Sequence, residues 1–259
     1  MSGMTRRRFL RLAAGSSVPG VLAGCDRLAA SDAFNGTLRS AQFLSQRAQS
    51  LLTGRDALAQ EFTEDDVTGE FRSNGTAMPD SRLYRQLLDG RFAAWRLAVG
   101  GLVARPAAYS LAELRAMPPR TQITRHDCVE GWSVIGKWTG VPLRELLARV
   151  RPLPAARYLV FHCADPMDGS DVQAPASTYY ESIDLLEAVH PQTILAYELN
   201  DEPLPVKNGA PLRLRVERQL GYKQAKYLMR IEVVDRLDTI RGGNGGYWED
   251  QGYEWYAGI

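Results

Sequence analysis

Apolar positions recur along the chain with two different spacings, and the alternation between them predicts a mixed fold. Between Ala29 and Gln60, the residues Leu38, Ala41, Leu44, Ala48 and Leu51 keep the three-and-four spacing of one helix face, which predicts an amphipathic covering helix. From Glu61 to Asp80 that pattern is lost, and Gly69, Asn74-Gly75 and Pro79 mark a long irregular loop, a kind of segment that often carries function. Trp95, Leu97 and Val99 alternate as a strand does. Ser110 and Glu113 form a capping box at the head of a short helix that Pro118-Pro119 must stop. Val141-Pro142-Leu143 opens a helix running to about Val150, since a proline in the first turn lacks only a donor that would be unpaired there.

Strands dominate the second half. Tyr158 to Phe161 reads as a buried strand, Ser182 to Val189 as a helix ended before Pro191, and Ile194 to Leu199 as a strand turning at Asn200-Asp201. Leu212, Leu214 and Val216 face one way and Arg213 and Arg215 the other, and Tyr227, Met229, Ile231 and Val233 form a further alternating strand. The pattern predicts an α+β, strand-rich fold without internal repeats.

The 259 residues are 45% hydrophobic and 24% charged, an ordinary globular composition, and one main domain is expected. A net charge of +1 gives no surplus of cations for general nucleic-acid binding. No uninterrupted apolar stretch reaches the length of a membrane-spanning helix. The N-terminus reads as an address. Arg6-Arg7-Arg8 precede a modestly apolar run from Leu12 to Gly24 that closes in Leu22-Ala23-Gly24-Cys25, the order of a twin-arginine leader followed by a lipobox. Export to the periplasm is expected, with lipidation at Cys25 as an anchor and not a span; Asp26 resembles the signal that retains bacterial lipoproteins at the inner membrane. The expected segments are a leader at 1–25, a helical extension at 26–70 and a main domain at 71–259.

With Cys25 assigned to the anchor, Cys128 and Cys163 remain. Three chemistries compete for them. In an oxidising compartment the pair can close a disulfide. His126, Cys128, His162 and Cys163 are a donor set that suits zinc, although their spacing matches no compact zinc module. Cys128 can also act as a nucleophile if His126 or His162 meets it in space.

The segment His126-Asp127-Cys128-Val129-Glu130-Gly131-Trp132-Ser133, with Lys137-Trp138-Thr139-Gly140-Val141-Pro142-Leu143 after it, resembles the cofactor cysteine region of the sulfite oxidase family. Lys207 to Val216 and Gly221 to Tyr227 resemble the second half of that family's pterin site, and the likeness runs from about Phe71 to the C-terminal Gly246–Tyr256 region. Within the family it is nearest to the small exported bacterial type, methionine sulfoxide reductase catalytic subunits among them. The resemblance implies a molybdenum-molybdopterin cofactor with the Cys128 thiolate on the metal, a soft donor beside the pterin dithiolene. It implies cofactor contacts from Arg72, Asn74, His126, Cys163, Asn208, Arg213, Gln224, Ala225 and Lys226. Arg213 and Lys226 would grip the phosphate, and Gln224 and Ala225 would supply backbone amides. Tyr179 or Tyr180 corresponds to the family's active-site tyrosine.

Sulfite as substrate needs a cationic pocket, for which Arg72, Arg125 and Arg215 are the candidates, whereas a sulfoxide needs only a donor and an apolar wall. With no room for a haem domain, the resemblance implies a monomer served by a separate cytochrome, membrane-bound b-type or soluble c-type. The competing expectation is a lipid-anchored binding protein with a Cys128–Cys163 disulfide and no catalytic metal.

Overall fold

The computed structural model describes residues 56–167 and 177–259, with Ser31 and Gly54. The chain divides into two compact units, Met1–Leu52 and Thr53–Ile259. The leader, the lipobox and most of the helix expected at 29–60 lie outside the described residues.

The second unit is α+β and is built on two five-stranded sheets. The first sheet has the order β2 (Ala107–Tyr109), β1 (Leu97–Gly101), β10 (Leu228–Val234), β5 (Tyr158–Pro166), β6 (Thr178–Asp184). The second runs β3 (Arg120–Asp127), β4 (Ser133–Pro142), β7 (Ile194–Leu199), β8 (Glu202–Pro203), with β9 (Arg213–Arg215) also paired to β7. Among the described residues five α-helices punctuate them: α1 (Arg82–Asp89), α2 (Leu111–Arg115), α3 (Leu143–Val150), α4 (Leu185–Ala188) and α5 (Tyr247–Asp250). No helix among the described residues is long and apolar enough to cross a membrane.

The main core takes Leu97, Val99, Leu159, Phe161, Ile231 and Val233 from the first sheet, Val141, Leu195, Leu212, Leu214 and Val216 from the second sheet and its flanks, and the inner face of α3. A smaller cluster of Phe71, Val134, Trp138, Ile194, Ala196, Leu199 and Leu204 covers the other face of the second sheet. That sheet is therefore buried on both sides, which is why β7 is a nearly continuous apolar run. The fit of Phe71 depends on Gly136, where an added Cβ would sit 2.7 Å from its ring.

Several local expectations hold. Ser110 and Glu113 make the reciprocal capping box of α2, and α3 begins directly after Pro142. Others are corrected. Ser182 and Ile183 belong to β6, and only the four residues of α4 are helical, because β5 pairs with this segment through Tyr158↔Asp184. Tyr227 precedes β10 in the left-handed region, with φ 55°. A register shift between Leu228 and Arg230 then places Leu228, Ile231 and Val233 inward, so Met229 leaves the expected face. Helix α1 was not anticipated from the pattern; Ser81 caps it by accepting from the Tyr84 N–H.

Candidate active site

The sheet ends and three loops converge on one cleft. Its walls come from Asn74, Gly75 and Thr76 in the long loop, and from Cys128, Val129 and Glu130 at the tip of the β3–β4 hairpin. The far end of β5 adds Asp165 and Met167, and β6 adds Tyr179. The segment Gly221 to Lys226 and the C-terminal aromatics Trp248 and Tyr253 close it.

Cys128 is the first residue past β3. Its N–H donates to the Trp132 carbonyl at 2.9 Å and its carbonyl accepts from Gly131 at 2.9 Å, a tight tip that Gly131 makes with φ +84°. Burial pushes the thiol above its ordinary value, so a metal is the partner that would hold it as thiolate. Both remaining cysteines are free. Cys163 is buried in the main core, where burial pushes its thiol up further.

His126 is fully buried on the smaller-cluster face, with its ring centroid 5.7 Å from those of Phe71 and Trp132. Its Nδ1 accepts from Arg215 Nη1 at 3.0 Å. Burial, reinforced by Arg215 and Arg213, holds the imidazole well below its usual range and therefore neutral. His162 instead meets Glu232 at 3.0 Å, and His190 meets the Ala57 carbonyl. The zinc arrangement is not formed: among the described residues no three His, Cys, Asp or Glu are grouped to hold a metal.

The window of basic residues between Lys207 and Lys226 is not a solvated strand face. Arg213 and Arg215 share a face of the second sheet with Ile194 and Ala196 by register, and both guanidinium groups lie over Trp138, at 5.0 and 4.3 Å. Arg215 is committed to Glu217 in a fully buried ion pair, and Lys223 to Glu181 and Glu249. Arg213 donates to the Asn208 carbonyl at 2.9 Å and to that of Gln224 at 3.4 Å, so it binds together the two loop segments behind the cleft. Lys226 is the window's cation on the cleft wall. Its ammonium donates to the carbonyls of Asn74, Thr76 and Lys207, and burial next to Arg213 draws it down to about 7.

Of the residues expected from sequence, Asn74, Cys128, Tyr179, Gln224 and Lys226 line the cleft. Asn208, Arg213 and Ala225 back that wall. The N–H of Gln224 is used by the Gly221 carbonyl at 3.1 Å, and its side-chain amide donates to the carbonyls of Val216 and Gln219. Tyr180 is absent from the lining; its hydroxyl donates to Asp250, and Arg241 lies over its ring at 4.2 Å. Neighbours on a strand face opposite ways, so Tyr179 alone enters the cleft, where its hydroxyl donates to the Tyr222 carbonyl at 2.5 Å. Arg72 also stays out, over Trp132 at 4.7 Å. Sequence reasoning gave no role to Glu130, Asp165, Met167, Trp248 and Tyr253. The aromatic run near the C-terminus was the one visible signal for the last two.

Polar atoms beside this cleft lack protein partners: Asn74 Oδ1 and Asp165 Oδ1, with Asn208 Nδ2 and Arg213 Nε behind. Native folds rarely leave buried polar atoms unpaired, so their grouping fits a polar heterocycle with an anionic group, set beside a thiol. The family model for the oxidoreductase molybdopterin binding domain matches residues 86–239.

The chain belongs to that molybdopterin-binding oxidoreductase family. It is 36% identical over 98% of its length, and 87% of the relative's, to YedZ1 of Azospira oryzae, a candidate protein-methionine-sulfoxide reductase subunit. It is 39% identical to the protein-methionine-sulfoxide reductase catalytic subunit MsrP of Xanthomonas axonopodis, over 69% of this chain and 57% of that one. The chain thus spans little more than half the length of that catalytic subunit. The sulfane dehydrogenase SoxCD of Paracoccus pantotrophus matches 55% of this chain and 38% of its own, with a TM-score of 0.48 and 24% identity. The enzyme is an oxidoreductase of the sulfite oxidase-like type, with molybdenum-molybdopterin as its cofactor.

Proposed function

We propose that this oxidoreductase reduces a sulfoxide, with peptide-borne methionine sulfoxide as the substrate class. One observation carries this choice over sulfite oxidation: among the described residues the lining of the cleft holds a single cation, Lys226, against the carboxyls of Glu130 and Asp165. Arg215 is buried against Glu217, Arg125 pairs with Asp127 and Arg72 lies over Trp132. Lys226 is ringed by carbonyls. The mouth instead carries Val129, Met167, Trp248 and Tyr253, with the carboxylate of Glu130 among them. Coulomb repulsion and a lack of donors disfavour a doubly charged oxyanion there, while a neutral thioether oxide finds an apolar wall.

The cofactor supplies the two-electron oxygen-atom transfer. Cys128 would hold its metal, Asn74, Gln224 and Lys226 its organic part, and Arg213 the loops that shape the wall. Trp248, Tyr253 and Met167 would exclude water and orient the sulfoxide carbon chains. The net reaction consumes two electrons and two protons and releases thioether and water, so an electron donor is required; a membrane b-type or soluble c-type cytochrome suits an exported chain. The twin-arginine pattern and Cys25 support export to the periplasm with a lipid anchor at the inner membrane.

The test is a side-by-side assay of the full, cofactor-loaded chain. Methionine sulfoxide is offered with a reduced dye and sulfite with an oxidised one. Sulfoxide-dependent dye oxidation, absent in Cys128→Ser together with the molybdenum, is the expected result. Sulfite-dependent dye reduction at the greater kcat/KM refutes the proposal.

A further inference from the structure

Behind the aromatic side of the cleft lies a charged cluster that the chemistry at Cys128 does not use. The Lys223 ammonium donates to Glu181 Oε1 and to Glu249 Oε1, and all three side chains are fully buried. It also lies 5.3 Å from the ring centroid of Trp255 and 5.9 Å from that of Tyr222, within reach of a cation–π contact. Glu181 Oε1 accepts in addition from the Ser182 N–H at 2.7 Å. The second oxygens, Glu181 Oε2 and Glu249 Oε2, find no donor elsewhere among the described residues. Gly246 packs so closely on the pair that an added Cβ would fall 2.6 Å from the Glu249 carboxyl carbon and 2.8 Å from Glu181 Oε1.

Two carboxyls and one ammonium leave an excess negative charge in a buried site, and a proton held between the two bare oxygens removes it. Burial pushes Glu181 well above the ordinary carboxyl range, the charge of Glu249 adds to that rise, and Lys223 opposes it. A buried ionic group is weak evidence for stability, since apolar side chains of like volume often serve as well; what it can supply is one defined register. The register set here shows in the chain neighbours. Glu181 is two residues along β6 from Tyr179 and on the same face. Lys223 follows Tyr222 in its 3-10 turn, and Glu249 follows Trp248 in α5. Tyr179, Tyr222 and Trp248 all line the cleft. Three segments distant in sequence thus meet at one ammonium, and each brings an aromatic ring to the cleft one or two residues away.

We propose that Lys223 is a positioning residue which, through Glu181 and Glu249, fixes the spacing of Tyr179, Tyr222 and Trp248 and so the width of the apolar wall that receives the substrate. The substrate half of this inference rests on the sulfoxide reading above; the spacing of the wall does not. Without the cation, α5 and the 3-10 turn lose their common tie to β6, and the carbon chains of the substrate are held less tightly. The opposite wall, at Asn74, Cys128 and Lys226, keeps its own contacts.

The cofactor-loaded full chain and its Lys223→Met variant are compared, each with and without Trp248→Phe, so that the emission of Trp248 is obtained by difference. The expected result for Lys223→Met is a rise of about twofold or more in the acrylamide quenching constant of Trp248. KM for a methionine sulfoxide peptide, assayed with a reduced dye, rises about fivefold or more, while kcat stays within about twofold and molybdenum per chain is parental. Glu181→Gln, whose amide can donate to Glu249 as the protonated carboxyl does, stays within about twofold of the parent in quenching and in KM. Gly246→Ala drives a methyl group into the same carboxyls with every charge retained; it is expected to raise quenching and KM likewise, and serves if Lys223→Met does not accumulate. Unchanged quenching of Trp248 overturns the assignment whatever the substrate. So does a fall in kcat with KM unaltered, or a loss of molybdenum, either of which marks a structural role alone. A parent chain that reduces no sulfoxide removes the substrate reading, and the quenching still decides the spacing of the wall.

Discussion

Gly221 is the position where adding one methyl group should disturb the site most. A Cβ there would lie 2.5 Å from both Cε1 and Nε2 of His126, about 1 Å inside ordinary carbon contact. The imidazole has nowhere to retreat. It is fully buried, Phe71 and Trp132 flank it at 5.7 Å, and Arg215 holds its Nδ1 at 3.0 Å. The strain must therefore move the 3-10 turn Gly221–Lys223, which carries Tyr222 on the cleft and leads into Gln224. Overpacking of this kind costs about 1–3 kcal/mol. For a unit the size of Thr53–Ile259, each kcal/mol lowers Tm by roughly 2–4 °C. Gly221→Ala is expected to lower Tm by about 2–12 °C and to lower the molybdenum content of the purified chain. A double-mutant cycle with His126→Ala isolates the cause, since the cost of Gly221→Ala must shrink once the ring is gone. A variant with parental Tm and parental molybdenum, or a cost unchanged in the His126→Ala background, refutes the contact as the reason for glycine.

Two more outcomes follow from buried charge. Glu217→Gln strands the Arg215 guanidinium, whose ion pair is fully buried, and should cost about 3–5 kcal/mol in urea denaturation; a loss under about 1 kcal/mol would mean that Thr124 and His126 suffice as partners. His190 is drawn down to about 4 by burial and by Arg218, with its Nδ1 accepting from Gln192 and its Nε2 donating to Ala57. A base whose pKa falls on folding stabilises fully above its unfolded value, near 6.5, and loses that contribution as pH drops toward 4, by no more than about 1.4 kcal/mol per pH unit. Urea midpoints of the parent should fall across that window more steeply than those of His190→Gln; parallel slopes would exclude the histidine as the titrating group.

What was legible in the sequence was whatever local chemistry dictates. The Ser110–Glu113 box and the start of α3 after Pro142 each depend on a few adjacent residues. The missed features depend on partners far away in the chain. Ser182 and Ile183 have a helix-compatible pattern, but pairing with β5 draws them into a sheet. Arg213 and Arg215 alternate as outward residues should, yet the cluster of Phe71 and Trp138 lies over that face and turns it into a second interior. The choice between Tyr179 and Tyr180 required knowing which face of β6 meets the cleft.

The cleft draws its lining from chain segments as far apart as Asn74 and Tyr253. A molecule held by all of them fastens the two ends of the unit to each other, much as a covalent cross-link would. Because it binds only the folded arrangement, it adds its binding free energy to the barrier against partial opening. Loaded enzyme should therefore lose its terminal aromatic segment and its 74–76 loop to proteases together and late, and the emptied chain should release them separately.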